Sequence, residues 1–513
     1  MPLATLRRAT GYLDLARSVC RLRACDDEVV QQRVRRHLVE RMGKLRGLPQ
    51  KLGQMLSFTD RDEDVADQYA ALRDAGEPLP WSVIEPLLAT GWGRPVSEVM
   101  AEIDTHGLAA SLGQVHRATT RGGVKVAVKV QYPGVRDAVE TDLRMLGWLS
   151  APVGNLRRGF DLRRYRDVIT QDLDRELDYS VEAEQQRRYR DWAAKEPFLV
   201  VPRVLPEWSN ERILVTEWED GDRWETVLEE WAVEDRRDLA SNLVRTFLYG
   251  LFMRRQLHAD LHPGNLRFRR TSAGPKLVLY DFGCVYEPPR ETSLALLRLI
   301  RATEQHCEPP LPLFVKLGFR EEYLTPLADK LPALCQVLLE PFIADYPFDL
   351  AHWKLEERIG DVLGDDRWNF RIAGPAEMIL LMRAFHGLLY YLRGLAAPVN
   401  WRRLLWPCMH GLAGEMASLA MPMSTRAHRD FRSLAQWLKI RVSESGNTKV
   451  ELTANAHGID DLENLLEPSL LSKIRDRQIE LENIVRDIRR RGYTPGPVFE
   501  MDEGPKHIAV WLE

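Results

Sequence analysis

The sequence predicts an α+β protein with two lobes, a helical N-terminal extension and a small C-terminal α/β module. Apolar residues recur at helical spacing up to about residue 100, alternate with polar residues through 124–130, and then return to helical spacing. After about residue 430, short alternating segments flank a helical stretch on both sides. The predicted extension covers residues 1–100, and the two lobes cover 101–220 and 221–425. The module covers 426–513 and has the element order ββααββ.

The composition limits the classes of function. Lys and Arg total 71 against 75 Asp and Glu, and the net charge of −4 argues against a nucleic-acid partner. The six cysteines are scattered without a CxxC pair, which is typical of reduced thiols in a cytoplasm. The most apolar stretches, 378–397 and 404–421, contain charged residues. We therefore predict buried core helices and no membrane span, which leaves peripheral membrane contact open.

A short segment of the extension places two polar residues side by side. On a helix, Lys51 and Gln54 share one face while Leu52 and Met55 lie on another. A Lys beside a Gln is a suitable donor pair for a carboxylate or a phosphate. Taken alone, the segment is more typical of a surface lysine next to a packed glycine.

The alternating segment 124–130 predicts a strand that follows a Gly-Gly hairpin turn. Its valines line one face, whereas Ala127 and Lys129 lie on the other. A small residue beside a lysine leaves room for a flat base and places an ammonium near its phosphates. A lysine on the polar face of a strand is commonplace, so the segment alone is a weak signal. The small residues before the hairpin would let backbone approach a ligand closely; they are Ala109, Ala110, Ser111 and Gly113.

Acidic residues cluster in a predicted helix that covers roughly 161–195. Asp178 and Glu182 are four residues apart and would share a face, whereas Glu176 lies about 200° around the helix from Asp178. Both Glu176 and Asp178 face one partner only if the helix starts or bends here. The alternative is a solvated acidic face.

The stretch 258–283 concentrates the chemistry. Asp260 and Asn265 lie in one loop, and Asp281 ends the apolar run 277–280, which predicts a buried strand. One carboxylate can orient or deprotonate a nucleophile, while an Asn and a second Asp supply oxygen ligands to Mg²⁺. A pair of β-turns is the alternative interpretation, because Asp, Asn, Pro and Gly all favour turns.

Taken together, the order of these motifs resembles that of the UbiB-like (ADCK, AarF) atypical kinase family. The resemblance covers about residues 29–406 and implies a protein-kinase-like fold. Its most distinctive motifs are KxGQ at Lys51–Gln54 and ExD at Glu176–Asp178. One departure is Leu108, where the family commonly has Ala or Gly, and a larger side chain there could alter nucleotide preference.

The resemblance implies a role for each motif. Lys129 would pair with Glu182 and contact the phosphates of ATP or ADP, Asp260 would be the catalytic-loop aspartate, and Asn265 and Asp281 would hold Mg²⁺. The nucleotide loop would consist of Ala109, Ala110 and Ser111, and the adenine-binding hinge of Glu217 and Trp218. A gate would consist of Lys51, Gln54, Glu176 and Asp178.

The expected function is that of an atypical kinase-like ATPase that supports isoprenoid-quinone or other lipid metabolism. Alternatives are phosphotransfer to a protein or small molecule, and a nucleotide-gated scaffold without turnover. Expected partners are the nucleotide, a lipid or quinone precursor, and a protein bound through the C-terminal module. The expected location is the cytoplasm.

Overall fold

The structure is a computed structural model that describes most of the chain from residue 78 onward. The described residues are 78–110, 112–137, 139, 170, 173–422, 434–444, 447–466, 468–477, 480–490, 492–504 and 506–513. The KxGQ segment and Ser111 therefore lie outside the described residues.

The strands and helices lie mainly in separate regions of the chain, as expected for an α+β protein. The strands are β1 Met100–Ile103, β2 Leu108–Ala109, β3 Gly113–Thr120, β4 Lys125–Gln131, β5 Leu199–Val200, β6 Ile213–Glu217, β7 Leu257–His258, β8 Leu266–Arg269, β9 Lys276–Leu279, β10 Val285–Tyr286, β11 Trp437–Glu444, β12 Asn447–Asn455, β13 Gly496–Glu503 and β14 Lys506–Leu512. The helices are α1 Trp81–Trp92, α2 Val96–Val99, α3 Tyr179–Ala193, α4 Trp224–Glu230, α5 Val233–Leu248, α6 Arg290–Gln305, α7 Pro310–Lys316, α8 Glu321–Leu324, α9 Leu331–Ile343, α10 Leu355–Leu363, α11 Arg367–Ala373, α12 Met378–Leu395, α13 Trp401–Gly411, α14 Ala413–Ser418, α15 Leu462–Leu465, α16 Pro468–Asp476 and α17 Leu481–Arg490.

The first sheet has five antiparallel strands, in the order β1–β3–β4–β6 with β2 paired to β3. Along β4, Val126, Val128 and Val130 are buried and pack against α1, as the alternation predicts. Val124 instead precedes the strand and is 38% exposed. Because α1 and α2 share this core, the domain boundary predicted near residue 100 runs through a single hydrophobic cluster.

The helical lobe has a large core that also includes residues of α3. Phe282 is fully buried and connects α3 to β7. Its ring centroid lies 5.0 Å from that of Tyr189 on α3 and 5.3 Å from that of His258 on β7. The strands β5–β9–β8 form a small sheet, and β7 pairs with β10. These short strands position the stretch 258–283 between the two lobes.

The C-terminal module is a four-stranded antiparallel sheet in the order β12–β11–β14–β13. Its strands extend beyond the short segments predicted, and α15–α17 lie between the two hairpins in sequence. Buried residues of β11 and β14 pack with apolar residues of the helices in a separate core. Arg358 of α10 connects the module to the helical lobe, since its guanidinium contacts Glu340 of α9 and Asp460.

Within the described ranges, no single helix is both long and apolar enough to cross a bilayer. Residues 350–373 and 378–395 meet that test only as a pair, and they are bent by 119° at their junction.

Candidate functional site

A buried ion pair joins the first sheet to α3. Lys129 Nζ lies 2.8 Å and 2.9 Å from the two carboxylate oxygens of Glu182, and the Glu182 side chain is only 2% exposed. Alternation along β4 turns Lys129 away from the valine core, and Glu182 occupies the first turn of α3. Asp281 Oδ2 lies 3.2 Å from the same ammonium. One lysine therefore contacts two carboxylates that are distant in sequence.

Burial and charge act in opposite directions on this group. Burial raises the pKa of Glu182 to about 7, although the neighbouring ammonium opposes that shift. Burial alone would lower the pKa of Lys129, but the carboxylates of Asp281 and Glu182 outweigh it and hold the pKa well above its ordinary value. Lys129 is therefore a permanent cation that can contact an anionic ligand.

Asp281 is presented by an unusual backbone conformation. Its φ of +55° lies in the left-handed region, which Asp tolerates better than most non-glycine residues. Its Oδ1 accepts a hydrogen bond from the backbone N–H of Gly283 at 3.3 Å. The bend directly after β9 directs the carboxylate towards Lys129 while Phe282 enters the core.

The loop that follows β7 brings Asp260 and Asn265 together. Asn265 Nδ2 donates to the carbonyl oxygen of Asp260 at 3.1 Å and to its Oδ2 at 3.3 Å. The backbone N–H of Tyr280 donates to the carbonyl of Asn265 at 2.9 Å, which places the loop beside Asp281. Buried His258 supports both segments: its Nε2 bonds the Tyr280 carbonyl, and its Nδ1 accepts from the N–H of Asp260. Burial lowers the pKa of His258, so the ring is a neutral support.

Arg383 of α12 is a further site residue that the sequence reasoning did not assign. Its guanidinium contacts Asp260 Oδ1, although the two residues are 123 positions apart, and only 3% of the Arg383 side chain is exposed. It also lies 3.6 Å from the Sγ atom of Cys284, which directly follows residues 281–283. The available signal was an arginine within a mostly apolar helix, because an arginine is costly to bury without a carboxylate partner.

The ExD residues are separated by a break in the helix. Residues 173–176 are helical, the chain then turns, and α3 starts at Tyr179. Glu176 is buried and lines the central cavity, whereas Asp178 is the N-cap of α3. Asp178 Oδ1 accepts from the N–H of Ser180 at 2.9 Å and from its hydroxyl at 2.5 Å. The partners predicted for the pair, Lys51 and Gln54, lie outside the described residues.

The cap gives a prediction that separates two roles of Asp178. Asp178→Ala should lower the free energy of unfolding by about 1 kcal/mol, whereas Asp178→Asn should retain most of it, because Asn also caps helices. Urea unfolding of both variants measures this difference. If the carboxylate also acts in the predicted gate, Asp178→Asn should change nucleotide turnover without changing stability. Equal turnover in Asp178→Asn and wild type would contradict the gate.

The small-residue loop is a tight hairpin. Ala109 ends β2, and the N–H of Ala110 donates to the carbonyl of Gly113 at 2.8 Å. A Cβ on Gly113 would lie 2.2 Å from the Val130 carbonyl oxygen and 2.8 Å from Tyr179 Oη, so only glycine fits. Leu108, which stands where the family commonly has Ala or Gly, is 66% exposed at the start of the hairpin.

The predicted hinge residues engage protein groups. The N–H of Glu217 donates to the Arg203 carbonyl, and its carboxylate pairs with the Arg203 guanidinium. The N–H of Trp218 donates to the Lys125 carbonyl at 2.9 Å, and its Nε1 donates to Asp220. Neither residue lines the central cavity. Adenine contact by these residues stays a prediction. The backbone N–H groups of both residues already donate hydrogen bonds within the protein.

A small cavity lies where these segments meet. It encloses about 20 Å³, enough for one water-sized species, and is lined by Leu112, Lys129, Glu176, Tyr179, Glu182, Asp260, Asp281 and Gly283. Four of these residues are carboxylic acids and one is a lysine. The surplus of acidic groups favours a cation at this position.

The donor set fits Mg²⁺ that arrives with a phosphate ligand. In the described part of the chain, no three His, Cys, Asp or Glu residues are arranged to hold a metal ion by themselves. Mg²⁺ commonly takes one or two protein carboxylates and completes its shell with water and phosphate oxygens. Asp281 and the side-chain oxygen of Asn265 are hard ligands of that kind.

Comparison with known proteins identifies the domain. Residues 71–306 match the model of the ABC1 atypical kinase-like domain. The chain carries an ABC1 atypical kinase-like domain. For residues 71–306 the match confirms the predicted family, and the protein-kinase-like fold is confirmed as well.

The relatives of this chain include an ABC1 family protein and an atypical kinase. An ABC1 family protein of Schizosaccharomyces pombe is 30% identical over 266 residues, which span 50% of each chain. The mitochondrial atypical kinase COQ8 of Saccharomyces cerevisiae is 26% identical over 379 residues, 72% of this chain and 74% of the relative. The solved structure of the Rv3197–erythromycin complex from Mycobacterium tuberculosis is 25% identical, with a TM-score of 0.52, over 73% of this chain and 95% of that one.

Proposed function

We propose that this chain binds Mg–ATP between its lobes and hydrolyses it. The observation that carries the proposal is the contact of Lys129 with both Glu182 and Asp281 at the central cavity. An ammonium held between a helix and a metal-binding carboxylate is the arrangement that phosphoryl-transfer enzymes of the kinase type use. The atypical kinase names of relatives support the same class.

Each residue has a role in this proposal. Lys129 contacts the phosphates, and Glu182 orients the lysine. Asn265 and Asp281 hold Mg²⁺, which when bound neutralises charge on the phosphates. Asp260 orients the attacking water. The hairpin that ends at Gly113 covers the phosphates.

A second candidate, a nucleotide-gated scaffold without turnover, is favoured by the surroundings of Asp260. One of its carboxylate oxygens contacts the Arg383 guanidinium, and the other accepts from Asn265 Nδ2. A carboxylate held by two donors is a weaker proton acceptor, since hydrogen bonds to the charged form stabilise it.

The proposed physiological setting of this activity is lipid metabolism. The resemblance to the UbiB-like family supports a role in isoprenoid-quinone or other lipid metabolism, at the surface of a membrane. Quinone and lipid content of a deletion strain, complemented with wild type or with an Asp281→Asn variant, tests that role. Equal content in the two complemented strains would contradict a role for the nucleotide site.

One assay separates hydrolysis from a scaffold. Phosphate release from Mg–ATP is measured for wild type and Asp260→Asn, with ATP affinity measured in parallel. We expect at least a 100-fold loss of turnover in Asp260→Asn with affinity within a few-fold of wild type, because the change removes a charge and keeps the shape. Wild-type binding without phosphate release would replace hydrolysis by the scaffold. Equal turnover in both proteins would exclude Asp260 from catalysis.

A further inference from the structure

Tyr179 is buried at the cavity without an assigned role. It is the first residue of α3, only 1% of it is exposed, and it lines the cavity beside Lys129 and Glu182. Its hydroxyl finds no hydrogen-bond partner among the described residues. A buried polar group left unpaired costs roughly 1–3 kcal/mol. A phenylalanine would fill the same space without that cost, so the hydroxyl needs an explanation.

The position of the hydroxyl indicates the kind of partner it would meet. Tyr179 Oη lies close to Gly113, which is the first residue of β3 and directly follows the small-residue loop. The Lys129 ammonium lies 5.0 Å from the centroid of the same ring. The Tyr179 side chain thus lies near both the hairpin and the lysine, the two elements that the proposed function assigns to the phosphates.

The protonation state makes Tyr179 a donor. Burial raises the pKa of Tyr179 well above its ordinary value, while the Lys129 ammonium lowers it. The carboxylates of Glu182, Asp281 and Glu176 raise the pKa further. The hydroxyl therefore keeps its proton throughout the physiological range. A neutral O–H donor suits an anionic oxygen, and hydrogen bonds to charged groups are the stronger ones.

We propose that Tyr179 Oη donates a hydrogen bond to a phosphate oxygen of the bound nucleotide and so makes the cavity selective for polyphosphate ligands. This inference rests on the proposed nucleotide site and adds a recognition residue to it. Since the hydroxyl has no partner among the described residues, it would gain one in the complex, and its contribution is to affinity for the phosphates and not to folding.

The test is calorimetric titration of wild type and Tyr179→Phe with Mg–ATP, Mg–ADP, magnesium pyrophosphate and adenosine. We expect Tyr179→Phe to bind the three phosphate ligands about tenfold or more weakly and to bind adenosine like wild type. The unfolding temperature of the ligand-free variant should equal or exceed that of wild type. Tyr189→Phe is the matched control, because Tyr189 is buried on the same helix and does not line the cavity.

Each alternative result is distinguishable. Unchanged affinity for phosphate ligands in Tyr179→Phe would overturn the inference and leave the proposed function intact. A lower unfolding temperature with unchanged affinity would show a structural hydroxyl. Wild type that binds pyrophosphate but no nucleotide, with the binding weakened in Tyr179→Phe, would overturn the proposed function and keep only the contact of Tyr179 with phosphate. Failure of wild type to bind any phosphate ligand would overturn both.

Discussion

Lys129→Met should abolish detectable ATP hydrolysis, with a loss of at least about 100-fold, because it removes the cation that contacts the phosphates. It should also lower the free energy of unfolding, since breaking a buried ion pair by removing one partner costs about 3–5 kcal/mol. The observed cost should fall at the lower end of that range. Burial already raises the pKa of Glu182 to about 7, so the unpaired carboxyl can take up a proton.

A double variant separates the two effects. In Lys129→Met combined with Glu182→Gln, no charge of the pair remains, and we expect most of the lost stability to return. Hydrolysis should stay at the level of Lys129→Met, because the cation is still missing. Urea unfolding and phosphate release together measure this cycle. Recovery of hydrolysis in the double variant would contradict a direct role for Lys129.

Asp281→Asn is expected to have the second large effect. Replacing the carboxylate by an amide weakens the Mg²⁺ site, and we expect Mg²⁺-dependent stabilisation by ATP in a thermal-unfolding assay to disappear. The fold should survive, because Asn adopts the left-handed backbone conformation at least as readily as Asp. The variant also leaves Lys129 paired with Glu182.

Two comparisons make the Asp281 result specific. Asp222→Asn is a control on a carboxylate that accepts from Trp231 Nε1 and does not line the cavity, and it should keep the Mg²⁺ effect. Titration of MgCl₂ at constant ATP then compares the three proteins. An unchanged Mg²⁺ response in Asp281→Asn would exclude Asp281 as a metal ligand.

Much of the site was accessible to sequence reasoning because its parts have strong local signals. The alternation along β4 predicts which way Lys129 points, and the apolar run of β9 predicts that Asp281 lies at a strand end. The resemblance then supplied the pairing of Lys129 with Glu182, which the structure places in contact. Their roles in nucleotide binding stay predictions.

Two of the features that sequence reasoning missed depend on contacts between segments that are distant in the sequence. Arg383 reaches Asp260 from a helix more than a hundred residues away, and nothing in the local pattern of α12 names its partner. The unpaired hydroxyl of Tyr179 is visible only once β3, β4 and α3 are placed together. The break before α3 was anticipated as a geometric requirement, but the role of Asp178 as the cap was not.

Isothermal titration of the purified wild-type chain with ATP, in Mg²⁺ and again in EDTA, tests the central claim most directly. A nucleotide site built on Lys129, Asn265 and Asp281 predicts binding that is at least tenfold tighter with Mg²⁺. No binding under either condition, or equal binding under both, would contradict it.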